Sequence, residues 1–178
     1  MTIEITSGKA IVLDPCYKAR QGVVIDNMLN GTYRVYVSYD RDDRIAALTI
    51  AHTGCWLSYY NESNAKTRSC RHLESDEIYV DSGQVGIFDA EYFIAHDAEE
   101  RDYDNPNCLY GRACKITETE DHYGLIDTKG VVSESGYGDG DYECYTRHKG
   151  DKVVAISVIF VEEDEDEYPE EYYGYRGF

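Results

Sequence analysis

Lys152-Val153-Val154-Ala155-Ile156-Ser157-Val158-Ile159-Phe160-Val161 is the most apolar segment of the chain, and Ser157 is the one polar residue after Lys152. Both faces of the run are hydrophobic, which is the pattern of a central strand covered on both sides. His148-Lys149-Gly150-Asp151 before it has hairpin chemistry. The segment from Tyr142 to Arg147 is therefore expected to lie antiparallel beside it, and the core to close around this pair.

Outward from that strand, the remaining apolar runs are short and β-branched or aromatic. Thr32 to Tyr39 alternates and reads as a strand, Asp40 to Arg44 as a hairpin loop, and Ile45 to Ala51 as the returning partner. Ile3 and Ile5, then Ala10 to Leu13, read as two strands parted by Ser7-Gly8, and Asp14-Pro15 stops the second. Ile78 to Val80 leads into the turn Asp81-Ser82-Gly83, with another strand up to Asp89, whose carboxyl suits the N-cap of a short helix through Tyr92-Phe93-Ile94. Val24 and Met28, four apart, predict a second short helix ending at Asn30-Gly31. A strand is expected within Gly54 to Tyr60, a polar loop over 61–69, and an irregular excursion over 97–112. Tyr123 to Ile126 is a further short strand.

The sum is a mainly β fold, an antiparallel β-sandwich or partly open barrel with one or two short helices. Residues 1–161 form a single globular β-rich domain, and residues 162–178 an acidic, aromatic C-terminal tail. Six consecutive acids, Glu162 to Glu167, open that tail, and five aromatic residues follow them.

Charge narrows the partners. The net charge is −18, of which −7 belongs to residues 162–178 and −11 to residues 1–161. Such a surface repels a phosphate backbone, so direct nucleic-acid binding is not expected. A surface that imitates nucleic acid to occupy a basic protein site remains an alternative. No apolar run approaches the roughly 20 residues of a bilayer span, and the first residues have no signal-peptide pattern. The expectation is a soluble, cytoplasmic protein without a membrane. The six cysteines form no C-x-x-C pair and read as free thiols.

Three segments carry a family resemblance: Leu13-Asp14-Pro15-Cys16-Tyr17 with Ser7-Gly8 before it, Val80 to Asp89, and Ser135-Gly136-Tyr137-Gly138-Asp139-Gly140-Asp141-Tyr142. Together they resemble the uncharacterised phage and bacterial proteins grouped as domain of unknown function 4241. The resemblance covers most of residues 5–161. It implies a phage or bacterial cytoplasmic setting, host cytoplasm for a phage-encoded protein, and supplies no reaction.

The same segments hold the candidate site. Asp14, Cys16, Asp81, Ser82, Gln84, Ser135, Tyr137 and Asp139 all sit at strand ends or glycine turns, and converging ends would place them around one pocket. Clustered carboxylates suit an oxygen-seeking Mg²⁺ or Ca²⁺, with Asp14, Asp81 and Asp139 as ligands. The competing reading is turn architecture, in which each carboxyl bonds nearby amides and no cofactor is held. Cys16 as a nucleophile needs a base from elsewhere, His52 or His122. No established catalytic set is recognisable. The reading favours a non-enzymatic binding protein for a small-molecule ligand or host protein, a phage factor that sequesters a host signalling molecule or blocks a host defence protein. A metal-dependent hydrolase using clustered aspartates and an acidic nucleic-acid mimic are the alternatives, and a homo-oligomer is compatible with each.

Overall fold

Two antiparallel sheets face one another, and two helices cover the outer side of the second. The computed structural model describes residues 1–55 and 70–161, with backbone alone for 70–76. In chain order the strands are β1 (Thr2–Ile5), β2 (Ala10–Leu13), β3 (Val23–Ile25), β4 (Gly31–Tyr39), β5 (Ile45–His52), β6 (Cys70–Val80), β7 (Gln84–Asp89), β8 (Tyr123–Ile126), β9 (Gly130–Glu134), β10 (Gly140–Lys149) and β11 (Lys152–Ile159). The helices are α1 (Ala90–Ala95) and α2 (Leu109–Thr117). One sheet runs β1-β4-β5-β11-β10-β6 and the other β3-β2-β7-β9-β8. This is the sandwich of the two expected arrangements.

β11 lies inside the six-stranded sheet, between β5 and β10. Ile156, Val158 and Phe160 enter the core between the sheets, where they meet Ile3, Ile5, Leu48 and Ile50 from their own sheet and Val12, Ile87 and Val131 from the other. The opposite face of β11 is also buried, and there Ser157 shares a 2.8 Å hydrogen bond with Thr49. A buried hydroxyl without a partner would cost free energy, so the bond to the neighbouring threonine helps to make a polar residue tolerable inside the strand.

The five-stranded sheet is buried on both faces, so β2 and β7 show no exposed residue. Its outer face carries Ile11, Leu13, Phe88 and Val132, which pack on Phe93 of α1 and on Leu109 and Ala113 of α2. Phe88 lies over two glycines. A Cβ at Gly86 would stand 2.2 Å from its ring and one at Gly130 only 2.0 Å, so the sheet gives up two side chains to bury one large ring. Full burial of such a ring contributes roughly 2–3 kcal/mol.

Two expectations change here. Val23 to Ile25 is a strand, not a helix: Val23 and Ile25 are buried, Val24 points out, and Ile25 pairs with Ala10 on β2. The spacing of Val24 and Met28 has no helical meaning: Met28 belongs to the core between the sheets and its backbone bridges to Val153. The excursion over 97–112 ends in α2, which begins at Leu109. Its N-cap is Cys108, whose Sγ accepts from the Gly111 amide at 3.3 Å, and that cap lies outside the usual Ser, Thr, Asp and Asn set. The expected strand within Gly54 to Tyr60, the loop over 61–69 and the tail over 162–178 lie largely or wholly outside the described residues. Among the described residues, no helix is long and apolar enough to cross a membrane.

Asp89 caps α1 through the amides of Glu91 and Tyr92, and its other oxygen accepts from the Thr6 and Ser7 amides at 2.6 and 3.0 Å. Burial works to raise the pKa of this carboxyl, but the donated hydrogen bonds outweigh it and hold the value below the ordinary one. A depressed folded-state pKa gives stability that is present above the unfolded value, about 3.9, and lost as pH falls through the folded one. Denaturant titrations from pH 6 downward should therefore show wild-type stability falling below about pH 4. Asp89→Asn should be less stable at pH 6 and lose less between pH 4 and pH 2.

Candidate functional site

Asp14 ends β2 with no solvent exposure, and all its bonding capacity goes to two turns. Oδ1 accepts from the Cys16 amide at 2.8 Å and the Ser82 hydroxyl at 2.6 Å. Oδ2 accepts from the amides of Asp81 and Ser82 at 2.9 and 2.7 Å. The sequence dictates this arrangement locally. Pro15 has no N–H and ends the ladder, and the chain after β6 must reverse through Asp81-Ser82-Gly83, where Gly83 takes a φ of +68°.

The third turn docks on the second. The Ser135 amide donates to the Gly83 carbonyl at 3.0 Å. Within the turn the Ser135 hydroxyl donates to the Gly138 carbonyl at 2.8 Å, as does the Tyr142 hydroxyl at 2.8 Å. Gly136 has a φ of +64°, and a Cβ there would stand 2.9 Å from the Phe160 Cβ and 3.0 Å from the Ile45 carbonyl. Both backbone angle and space thus require glycine. Tyr137 leans outward, 67% exposed, with the Arg44 guanidinium 4.5 Å from its ring centre. Arg44 is itself held by Asp40 and Asp42 at 2.7 Å each.

Between these turns and the C-terminal end of α2 lies a cleft of about 310 Å³, lined among others by Ser82, Gln84, Thr117, Glu134, Ser135 and Tyr137. Gln84 is 6% exposed. Its Nε2 donates to the Cys114 Sγ at 3.4 Å, and its Oε1 is buried with no hydrogen-bond partner. Glu134 stands half exposed, with its Oε1 3.1 Å from His122 Nδ1.

Of the eight residues proposed from sequence, Ser82, Gln84, Ser135 and Tyr137 line this cleft, whereas Asp14, Cys16, Asp81 and Asp139 do not. Asp14 is buried and Cys16 half-buried, Asp81 contributes its backbone amide to Asp14, and the side chains of Asp81 and Asp139 are exposed. Burial is the main reason the Cys16 thiol is pushed up to about 12, with the negative charge of Asp14 and then Asp81 adding to it. Tyr17 is raised by burial and by the charges of Asp81, Asp14 and Asp139 together. Asp14 has spent its oxygens on donors, and among the described residues no group of three or more His, Cys, Asp or Glu side chains is arranged to hold a metal ion. His122 is engaged with Thr117 and Glu134, and His52 with Asn30 and Gly54. Sequence reasoning missed Thr117 and Glu134. Glu134 adjoins the quoted motif and was within reach; Thr117 belongs to the unexpected helix.

Fold and site together define an antiparallel β-sandwich in which three strand-end turns, locked by one buried carboxyl, frame a small polar cleft. The chain belongs to the family described as protein of unknown function DUF4241, which it matches over residues 3–158. No curated protein and no solved structure matches it.

Asp14→Ala would leave three backbone amides and a hydroxyl without their acceptor. At roughly 1–3 kcal/mol per stranded buried donor, with partial relief by water, equilibrium unfolding should show a loss of about 3 kcal/mol or more. With its thiol raised so far, Cys16 should resist iodoacetamide at pH 8 compared with a free cysteine peptide, as peptide mass mapping would read, and Asp14→Ala should speed its alkylation.

Proposed function

We propose that the protein is a non-enzymatic binding module that holds a small polar molecule in the cleft between the β6–β7 and β9–β10 turns. The observation that carries this reading is Gln84: an amide oxygen buried without a partner costs roughly 1–3 kcal/mol, and a donor brought by a ligand would relieve it. The lining is also preorganised, since Ser82, Ser135 and Gly138 are fixed by bonds within and between the turns. Preorganisation lowers the ordering cost of binding. The groups best placed for chemistry are engaged elsewhere. Asp14 is saturated with donors, and a thiol held near 12 offers almost no thiolate at neutral pH. In the phage setting that the family resemblance implies, such a module would act by sequestering a host signalling molecule.

The test is uptake without turnover. Protein incubated with a small-molecule extract of bacterial cells is freed of unbound material by gel filtration and denatured, and the released compounds are read by mass spectrometry. One unaltered compound should appear at close to one per chain and be lost from Gln84→Leu protein that melts as the wild type does. Release of nothing beyond the Gln84→Leu background would overturn the reading. Accumulation of new products in the extract would replace it with the hydrolase.

A further inference from the structure

Resting on that binding reading, we infer that the cleft takes the ammonium or guanidinium end of a small organic cation. The argument is a count of where the protons go. The Ser82 hydroxyl gives its proton to Asp14 Oδ1 at 2.6 Å, and the Ser135 hydroxyl gives its own to the Gly138 carbonyl at 2.8 Å. Thr117 Oγ1 donates back into its helix, to the carbonyls of Ala113 and Cys114 at 3.3 and 3.2 Å. A hydroxyl has one proton and two lone pairs, so each of these three side chains has only lone pairs left to offer the cleft. Gln84 adds a fourth acceptor, its unpartnered oxygen, beside a nitrogen that directs one proton to Cys114 and keeps a second. Glu134 adds a carboxylate at the edge.

His122 does not reverse this polarity. Its Nδ1 lies 3.1 Å from the Thr117 carbonyl and 3.1 Å from Glu134 Oε1. Two acceptors around one ring nitrogen require that nitrogen to carry its proton, which is shared between them and not offered to a ligand. The Arg44 guanidinium lies against the Tyr137 ring and is paired with Asp40 and Asp42. Apart from the Tyr137 hydroxyl and the second amide proton of Gln84, the side chains of the cleft therefore present acceptors with a negative charge among them, and the complementary group is positive and rich in N–H donors. An ammonium brings three such donors and a guanidinium five. An anion would find no free proton on Ser82, Ser135 or Thr117 and a like charge on Glu134.

Size separates an organic cation from a bare metal ion. Water occupies about 30 Å³ per molecule in the liquid, so a single ion would leave most of the 310 Å³ unfilled. Such an ion would also meet one lining carboxylate, Glu134, where divalent sites commonly gather several. The net charge of −18 adds a long-range attraction for cations.

Amide NMR spectra of the full chain, titrated with butylammonium, butylguanidinium, neutral N-butylacetamide, butyrate, MgCl₂ and CaCl₂, test the assignment. The two organic cations should saturate shifts at Gln84, Thr117, Glu134 and Ser135. Butyrate should move none of them, and N-butylacetamide should bind at least ten-fold more weakly. Glu134→Gln removes a charge from a half-exposed side chain and should weaken cation binding by roughly ten-fold or more, the scale of one charge-assisted hydrogen bond. Thr117→Val should weaken it by a few-fold. Shifts spread over exposed carboxyl residues, screened by salt and indifferent to Glu134→Gln, would overturn the inference, as would saturation by Mg²⁺ or Ca²⁺ alone. Binding of butyrate or of the neutral amide in the cleft as tightly as the cations would also overturn it, while leaving the binding module in place. A cleft that none of the probes perturbs, in a protein that also releases no compound from cell extract, would remove both.

Discussion

One buried carboxyl holds the working end of this molecule together. Three of the four bonds accepted by Asp14 join the end of β2 to the turn after β6, two segments that belong to different sheets, and the fourth closes its own turn at Cys16. Turn backbones have no ladder to satisfy them, and a buried amide without an acceptor is expensive. A carboxylate is the one side chain that can take several donors at once without bringing a donor of its own. The β9–β10 turn docks on the β6–β7 turn through the backbone bond from Ser135 to Gly83, between the ladder pairs Gln84–Glu134 and Val80–Gly140. Asp89 repeats the device at the other end of the same ladder. It lies opposite Ala10 on β2, where it secures the β1–β2 turn and the start of α1.

The two carboxyls also explain how so acidic a chain folds around a two-sided sheet. Both are almost fully buried, yet neither is left in an apolar surrounding, because each is enclosed by donors that the turns must place somewhere. A buried charge without such bonds would be prohibitive. The hydrophobic contribution comes from elsewhere, from one core between the sheets and a second beneath the helices. Acidity is thus a property of the surface and of a few ligated positions, and the apolar interior is untouched by it.

The architecture was legible wherever a single physical signal dominated. β11 could be read because nine nearly unbroken apolar residues leave no other fate than a doubly covered strand, and the cap of α1 because Asp89 is a strong helix starter. The misreadings have equally physical causes. Val23 to Ile25 is three residues long, too short for alternation to outweigh a chance four-residue spacing, and only its pairing with β2 decides the matter. α2 starts at a thiol cap and carries Gly111 in its first turn, a residue that costs a helix about 1 kcal/mol. That glycine is required by packing: a Cβ there would stand 2.1 Å from the Asn105 carbonyl. Tertiary contact overrode local propensity, and with the helix went Thr117, one wall of the cleft.

The site was legible only as a neighbourhood. Spacing in the sequence marked the three turns, but could not say which side chains face inward and which are consumed in holding the turns. Asp14 and Ser82 make the distinction plain. Their side chains share one hydrogen bond of 2.6 Å, and that bond occupies the carboxyl while leaving the hydroxyl on the cleft with its proton already given away. The same is true of Ser135, whose proton closes its own turn, and of Thr117, whose proton returns to its helix. Each bond that fixes the framework removes a donor from the cleft, so the acceptor character of the lining follows from how the turns are built. Selectivity and stability are then coupled at these positions: a change that frees a hydroxyl to serve a ligand as donor also loosens the turn that places it.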